Sequence, residues 1–199
     1  MPVQNHILLV VLWILYGVLH SVLASARFKQ SMQVILKSKF KYYQLGYSIF
    51  AAVTLIGILL FQFHVRSELL FTPPLWVVVV ACIAATAGAV VMLLMIWKYF
   101  FYLSGISVFY KTQPPPTLQQ NGLHRFVRHP LYTGTLLFIW ALCFLFPYTK
   151  NFLACVLITA YTLYGTQLEE KKLIEQFGEE YMKYRKRVPM LIPWLKNRQ

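Results

Sequence analysis

Five apolar blocks without a single charged residue make up half of this chain: His6 to Ser25, Tyr43 to Phe63, Leu75 to Trp97, Leu131 to Phe146 and Asn151 to Leu168. A helix in water needs a polar outer face, and these blocks offer none wide enough. Roughly 20 such residues cross the hydrocarbon core of a bilayer as a helix. The first three blocks have that length. The last two are shorter and are separated only by Pro147-Tyr148-Thr149-Lys150, which predicts a tight helical hairpin with its turn at or just below the far membrane surface. Charged residues are 13% of the chain, against about a quarter in globular domains, so an ordinary soluble domain is excluded. The expected fold is all-α: an integral membrane helical bundle of about five transmembrane helices with a C-terminal cytoplasmic helix.

The basic residues orient it. Arg27, Lys29, Lys37, Lys39 and Lys41 follow the first span, Lys98, Lys111, Arg125 and Arg128 follow the third, and eight more follow the fifth, 17 of the 19 in all. Positive charge favours cytoplasmic loops, so the N-terminus is expected outside and the C-terminus in the cytoplasm. The net charge of +13 then reflects topology and attraction to anionic lipid. It does not point to nucleic acid, because no basic and aromatic soluble module is present. The first block starts almost at Met1 without a positive leader, so it is expected to be retained as a span. Cys82, Cys143 and Cys155 sit inside predicted spans without metal-site or disulfide spacing, and no metal is expected.

The two halves differ in character. Residues 1–103 form a three-span membrane region, whereas residues 104–199 hold the hairpin, a cytoplasmic helix, a tail and most of the polar motifs. No internal repeat of the transporter kind is visible. There is no aspartate, and five of the six glutamates lie between Glu169 and Glu180. Carboxylates at the end of a membrane span are costly unless paired or solvated. Consecutive helical residues diverge by about 100°, so Glu169 and Glu170 cannot share a direction; one can meet a ligand while the other pairs with a cation. Leu173, Phe177, Tyr181 and Tyr184 extend an apolar stripe, which predicts that the helix runs on and packs against something. Glu175, Glu179 and Glu180 fall on its solvated face.

A second cluster runs Asn121-Gly122-Leu123-His124-Arg125-Phe126-Val127-Arg128-His129-Pro130-Leu131-Tyr132-Thr133-Gly134, after a Pro114-Pro115-Pro116 run that marks a loop. Pro130 suits the first turn of a helix. The helix N-terminus with Arg125, Arg128, His124 and His129 beside it suits a carboxylate or phosphate, and the competing reading is a set of interfacial anchors. Gly134 permits close approach of a helix or a ligand, and helix packing is the commoner use. His20, inside the first span, is either functional or a histidine bonded to a neighbouring polar group. His20, His129 and Glu169 are all expected at one membrane depth. The closing Val188-Pro189-Met190-Leu191-Ile192-Pro193-Trp194 reads as an apolar tail that folds back on the membrane face or over the site.

Arg128-His129-Pro130-Leu131-Tyr132-Thr133-Gly134, then Glu169-Glu170, then Phe177-Gly178-Glu179-Glu180-Tyr181 with Tyr184 and Val188-Pro189, resemble the C-terminal signature of isoprenylcysteine carboxyl methyltransferases and phospholipid methyltransferases. The resemblance covers Asn121 to Pro193, and the ordered combination is more specific than any one part. Tyr16-Gly17-Val18-Leu19-His20-Ser21-Val22-Leu23-Ala24-Ser25 more weakly resembles the NnrU-like and methanethiol S-methyltransferase branch.

The resemblance implies an integral membrane enzyme that uses S-adenosyl-L-methionine, with residues 104–199 as its cofactor-binding methyltransferase region. It implies Gly122, His129, Tyr132, Gly134, Glu169 and Glu170 as cofactor-binding residues, and Arg128, His129 and Glu170 as catalytic ones. Tyr164 is an alternative to Tyr132 for facing the sulfonium or adenine. His20 and Arg187 are candidates for binding the acceptor. That acceptor would be a small or lipid-like apolar molecule entering from the bilayer: a thiol, a prenylcysteine carboxylate or an amine lipid. Sterol reductases share a related C-terminal half, which leaves an NADPH-dependent membrane reductase as an alternative, and a non-catalytic membrane assembly or lipid-binding factor as another.

Overall fold

The computed structural model describes residues 2–106 and 117–193. The Pro114-Pro116 run, Lys111 and Trp194 lie outside them. The described residues form six α-helices: α1 (Pro2–Ala24), α2 (Ala26–Leu36), α3 (Tyr43–His64), α4 (Leu75–Ser104), α5 (Pro130–Leu145) and α6 (Thr149–Arg187). Short 3-10 turns occupy Lys37–Tyr42 and Gly122–Arg125.

Three stretches, Val3–Ala24, Ala26–His64 and Leu75–Phe100, are long and apolar enough to cross a membrane. Helix α5 is apolar but only 16 residues long. The outward side chains of the long helices are leucine, isoleucine, valine and aromatic, with Phe63 80% and Trp97 86% exposed. So much exposed apolar surface suits lipid as the solvent. The basic connection after α1 is not a loop. Ser25 caps α2 by accepting from the Phe28 amide at 3.3 Å, its extended backbone giving the standard helix start, and α2 runs on into the first 3-10 turn.

The chain packs as two compact units, each drawn from separate stretches of the sequence. One comprises Met1–Leu70, Tyr99–Pro114 and Tyr148–Ile158; the other comprises Phe71–Lys98, Pro115–Pro147 and Thr159–Gln199. In the first, Leu9, Trp13, Ile58 and Ala154 form the buried core. A polar relay crosses it: Trp13 Nε1 donates to Gln62 Oε1 at 3.0 Å, and Gln62 Nε2 donates to Asn151 Oδ1 at 3.0 Å. Indole and amide groups inside an apolar core must find such partners. The Tyr43 hydroxyl donates to the Leu23 carbonyl at 2.7 Å, tying the end of α1 to the start of α3.

In the second unit, α4 and α5 cross glycine on glycine. A Cβ added at Gly134 would lie 2.9 Å from Val91 Cγ1 and 3.0 Å from the Gly88 carbonyl oxygen, and one at Gly88 would lie 2.7 Å from the Phe138 amide nitrogen. Small residues let helix backbones approach this closely. Trp140 Nε1 donates to Thr159 Oγ1 at 3.0 Å, which fastens the α5–α6 hairpin. The apolar stripe on α6 packs as expected, with Tyr181, Tyr184 and Val188 buried against Leu118, Leu173, Ile174 and Phe177. The helix does not run straight, however. Gly178 has φ 52° and ψ −125°, a conformation that only glycine adopts without strain, and α6 kinks there.

Candidate functional site

Pro130 opens α5 at its first position, where a missing N–H costs nothing. The residue before it, His129, takes an extended φ of −122°, as the residue preceding proline must. Its ψ of 68° falls short of a full strand conformation, and the tail lies alongside residues 128 and 129. The Arg128 amide donates to the Pro189 carbonyl at 2.9 Å and the His129 amide to the Met190 carbonyl at 3.2 Å. The Thr133 hydroxyl donates to the Leu191 carbonyl at 2.8 Å. The tail thus folds over the approach to α5 and takes up the Arg128 and His129 amides, which lie ahead of its first helical residue.

Arg128 is buried beneath this contact. Its Nε donates to Glu170 Oε1 at 2.7 Å, a second guanidinium nitrogen pairs with the same oxygen, and the third donates to the carbonyls of Val188 and Arg185. One rigid fork therefore neutralises a carboxylate and caps the C-terminal carbonyls of α6, a role suited to a delocalised cation at a helix C-terminus. Arg185 adds a second cation, with Nε 3.4 Å from Glu170 Oε2. A straight helix would hold residues 170 and 185 about 22 Å apart along its axis; the kink at Gly178 brings them together.

Glu169 and Glu170 separate as their helical spacing predicts. The Glu170 side chain is 8% exposed and that of Glu169 is 45% exposed. His129 stands between them, Nε2 3.2 Å from Glu170 Oε1 and Nδ1 3.6 Å from Glu169 Oε2. Burial pushes the Glu170 carboxyl up, but hydrogen bonds from His129 and Arg128, together with the charge of the guanidinium, outweigh it and hold the group at about 2. Burial also pulls the His124 imidazole below its usual range, against the hydrogen bond it makes to the Arg128 carbonyl.

Tyr132 stacks on His129, with ring centroids 5.8 Å apart and planes 20° from parallel. Tyr184 donates to the His124 carbonyl at 2.7 Å, bracing the 3-10 turn from behind. Tyr181 is 1% exposed, and its hydroxyl is, among the described residues, the buried side-chain polar atom without a hydrogen-bond partner. Burial first, and then the nearby charge of Glu170, push that phenol well above its usual range.

The structure brings together Arg128, His129, Tyr132, Glu169 and Glu170. Gly122 serves the backbone, at φ 66° where the 3-10 turn begins. Gly134 is filled by helix packing, and Tyr164 is 60% exposed. Arg187 donates to Gln120 Oε1 at 3.1 Å on the exposed side. His20 belongs to the other unit, where Tyr47 holds it. Arg185 was not anticipated; the available signal was Gly178 inside a helical pattern. Among the described residues, no three His, Cys, Asp or Glu side chains cluster as a metal site requires.

Residues 76–180 match the profile of the family described as phospholipid methyltransferase. The chain is 40% identical over 84 residues to methanethiol S-methyltransferase 1 of Bradyrhizobium diazoefficiens, covering 42% of this chain and 29% of that relative. It is 48% identical over 75 residues to methanethiol S-methyltransferase of Pseudomonas deceptionensis, covering 37% and 28%. Protein-S-isoprenylcysteine O-methyltransferase of Mus musculus is 36% identical over 88 residues, covering 40% and 29%. The chain spans less than a third of the length of these curated relatives. No solved structure gives a significant match.

Proposed function

This chain belongs to the phospholipid methyltransferase family, and we propose that it is an integral membrane enzyme that transfers a methyl group from S-adenosyl-L-methionine to a small or lipid-like apolar acceptor. The acceptor class is a thiol, a prenylcysteine carboxylate or an amine lipid; the relatives named for methanethiol and isoprenylcysteine support the first two. In this reading the chain crosses the bilayer about five times, with its N-terminus outside and the site at the cytoplasmic face.

The observation that carries the reading is His129 set between a buried carboxylate, Glu170, and a half-exposed one, Glu169. The chemistry of the donor set fits the cofactor. Glu169 would take its ammonium or ribose hydroxyls, and the Tyr132 face would take the sulfonium or adenine. Its carboxylate would fall to Arg185, whose side chain is 47% exposed; Arg128 is engaged by Glu170 and the tail, which makes it a positioning residue. When bound, S-adenosylmethionine supplies an electrophilic methyl group on sulfur.

The chain's own residues then have two tasks. Arg128 fixes Glu170, and Glu170 fixes the His129 ring through Nε2, so that Nδ1 points towards Glu169. That leaves Nδ1, with the Glu169 carboxylate beside it, able to receive a proton from a thiol or amine acceptor; a carboxylate acceptor needs no base. The tail over α5 helps to keep water away from the aligned groups, which is most of what an in-line displacement requires.

Titration calorimetry of the detergent-solubilised protein with S-adenosylhomocysteine, with NADPH in parallel, tests this. Saturable binding of the first, weakened by His129→Ala and by Glu170→Gln, is the expected result. Binding of NADPH alone would replace the proposal with a reductase. Binding of neither by folded protein would leave a non-catalytic membrane factor.

A further inference from the structure

A second site lies within the unit built on α1 and α3, and its case does not depend on methyl transfer. The two helices enclose a groove of about 400 Å³, within the range of small-molecule sites. One wall is Leu8, Leu12, Leu15 and Leu19 of α1, spaced four, three and four residues apart. The facing wall is Phe50, Thr54, Gly57 and Phe61 of α3, at the same spacings. Such spacing lines a single helix face along several turns. From Leu8 to His20 the groove runs roughly 18 Å at the α-helical rise per residue, the reach of one extended acyl or prenyl chain.

Small residues open it. A Cβ built at Gly57 meets no atom within 4 Å, so the space opposite the leucines is real. Thr54 offers the groove no donor, because its hydroxyl donates to the Phe50 carbonyl of its own helix at 2.7 Å. The groove is therefore apolar along its length and polar at one end only. There the Tyr47 hydroxyl lies 3.0 Å from His20 Nδ1 and 2.9 Å from Nε2, and Tyr16 packs its ring 5.7 Å from the imidazole. The same hydroxyl lies 3.5 Å from the His20 carbonyl, so the two residues form a compact polar group at this end. The Tyr43–Leu23 hydrogen bond joins the same ends of the two helices just beyond.

We propose that this groove binds one single-chain amphiphile, its tail along the leucine wall and a small hydrogen-bonding head at His20 and Tyr47. An ordinary lipid of the surrounding bilayer needs neither a recess nor a head-group pair inside the span. Polar side chains at that depth are expensive, and here they stand at the end of an apolar groove.

A long-chain alcohol carrying a diazirine near its tail, photolysed with the protein in vesicles and mapped by peptide mass spectrometry, tests the site without cofactor. The expected result is saturable labelling on α1 and α3 that unlabelled dodecanol displaces. Gly57→Leu, which fills the recess, abolishes the saturable part, and Gly57→Ala, whose methyl meets nothing, reduces it. Tyr47→Phe weakens half-saturation by about five-fold, the value of one hydrogen bond, while leaving the labelled positions unchanged. Labelling that rises in proportion to probe, spreads equally over α4 and ignores both Gly57 variants would overturn the proposal.

Discussion

Arg128 and Glu170, 42 residues apart in sequence, form a buried ion pair in which two guanidinium nitrogens converge on one carboxylate oxygen. The third guanidinium nitrogen holds the end of α6, so a single side chain joins α5, the middle of α6 and the tail. Removing one partner of a buried pair leaves an uncompensated charge. Arg128→Met is expected to cost about 3–5 kcal/mol and to expose the tail to protease. Arg128→Met with Glu170→Met together should cost less than the sum of the singles. Denaturant titration in detergent with a limited-proteolysis readout checks both, and strict additivity would show that the pair is not coupled.

Acid should loosen the same joint. The Glu170 carboxyl has a folded value of about 2, below its ordinary 4.5. A depressed carboxylate contributes stability that is present above the unfolded value and is lost as pH falls through the folded one. Melting temperature should therefore decline between about pH 4.5 and 2, and Glu170→Gln should flatten that part of the profile. An identical slope in wild type and variant would assign the acid sensitivity to other groups.

Glu169 and Glu170 should separate function from stability. Glu169→Gln, at a half-exposed position, should alter melting little yet weaken S-adenosylhomocysteine binding. Glu170→Gln should lower both. Parallel thermal and calorimetric measurements make the comparison, and equal behaviour of the two variants would deny them different roles.

The crossing of α4 and α5 makes a steric prediction. Gly88→Ala meets the Phe138 amide and the Gly134 carbonyl, which are backbone atoms, while Gly134→Ala first meets the end of the Val91 side chain. Both should destabilise by about 1–3 kcal/mol, Gly88→Ala the more, because backbone yields less than a side chain tip. A reversed order in thermal melts would contradict this packing.

Gly178→Ala should cost about 1–3 kcal/mol through its backbone conformation alone, since an added Cβ meets no atom within 4 Å. If the kink is what brings Arg185 to Glu170, Gly178→Ala and Arg185→Ala should be non-additive in a double-mutant cycle.

Much of this was legible in the sequence. Uncharged blocks produced the long helices, with boundaries within a few residues for α3 and the start of α4. The divergence of Glu169 from Glu170 followed from helical geometry alone, and the folding back of the tail was one of two expected courses; Gly134, which the resemblance assigned to the cofactor, packs against α4. What the residues did not disclose was the choice among partners. Arg128 suits a free anion as well as it suits Glu170, and only the three-dimensional path of residues 185–191 decides between them. Arg185 escaped notice because its partner lies 15 positions back along α6, beyond any helical neighbour rule, until the chain turns at Gly178. The helix α2 was hidden behind its own charge, read as a basic loop although Ser25 marks its start.

The clasp of the tail on α5 has a consequence for the order of synthesis. Residue 128 is made long before residues 188 to 191, so during translation α5 stands with its Arg128 and His129 amides unclaimed and its guanidinium without the helix end it will hold. The last turn of this joint closes only when Leu191 has left the ribosome. Nascent chains stalled short of Val188 should stay open to protease between residues 117 and 130, and chains carried on an added linker that brings Leu191 clear of the exit tunnel should not.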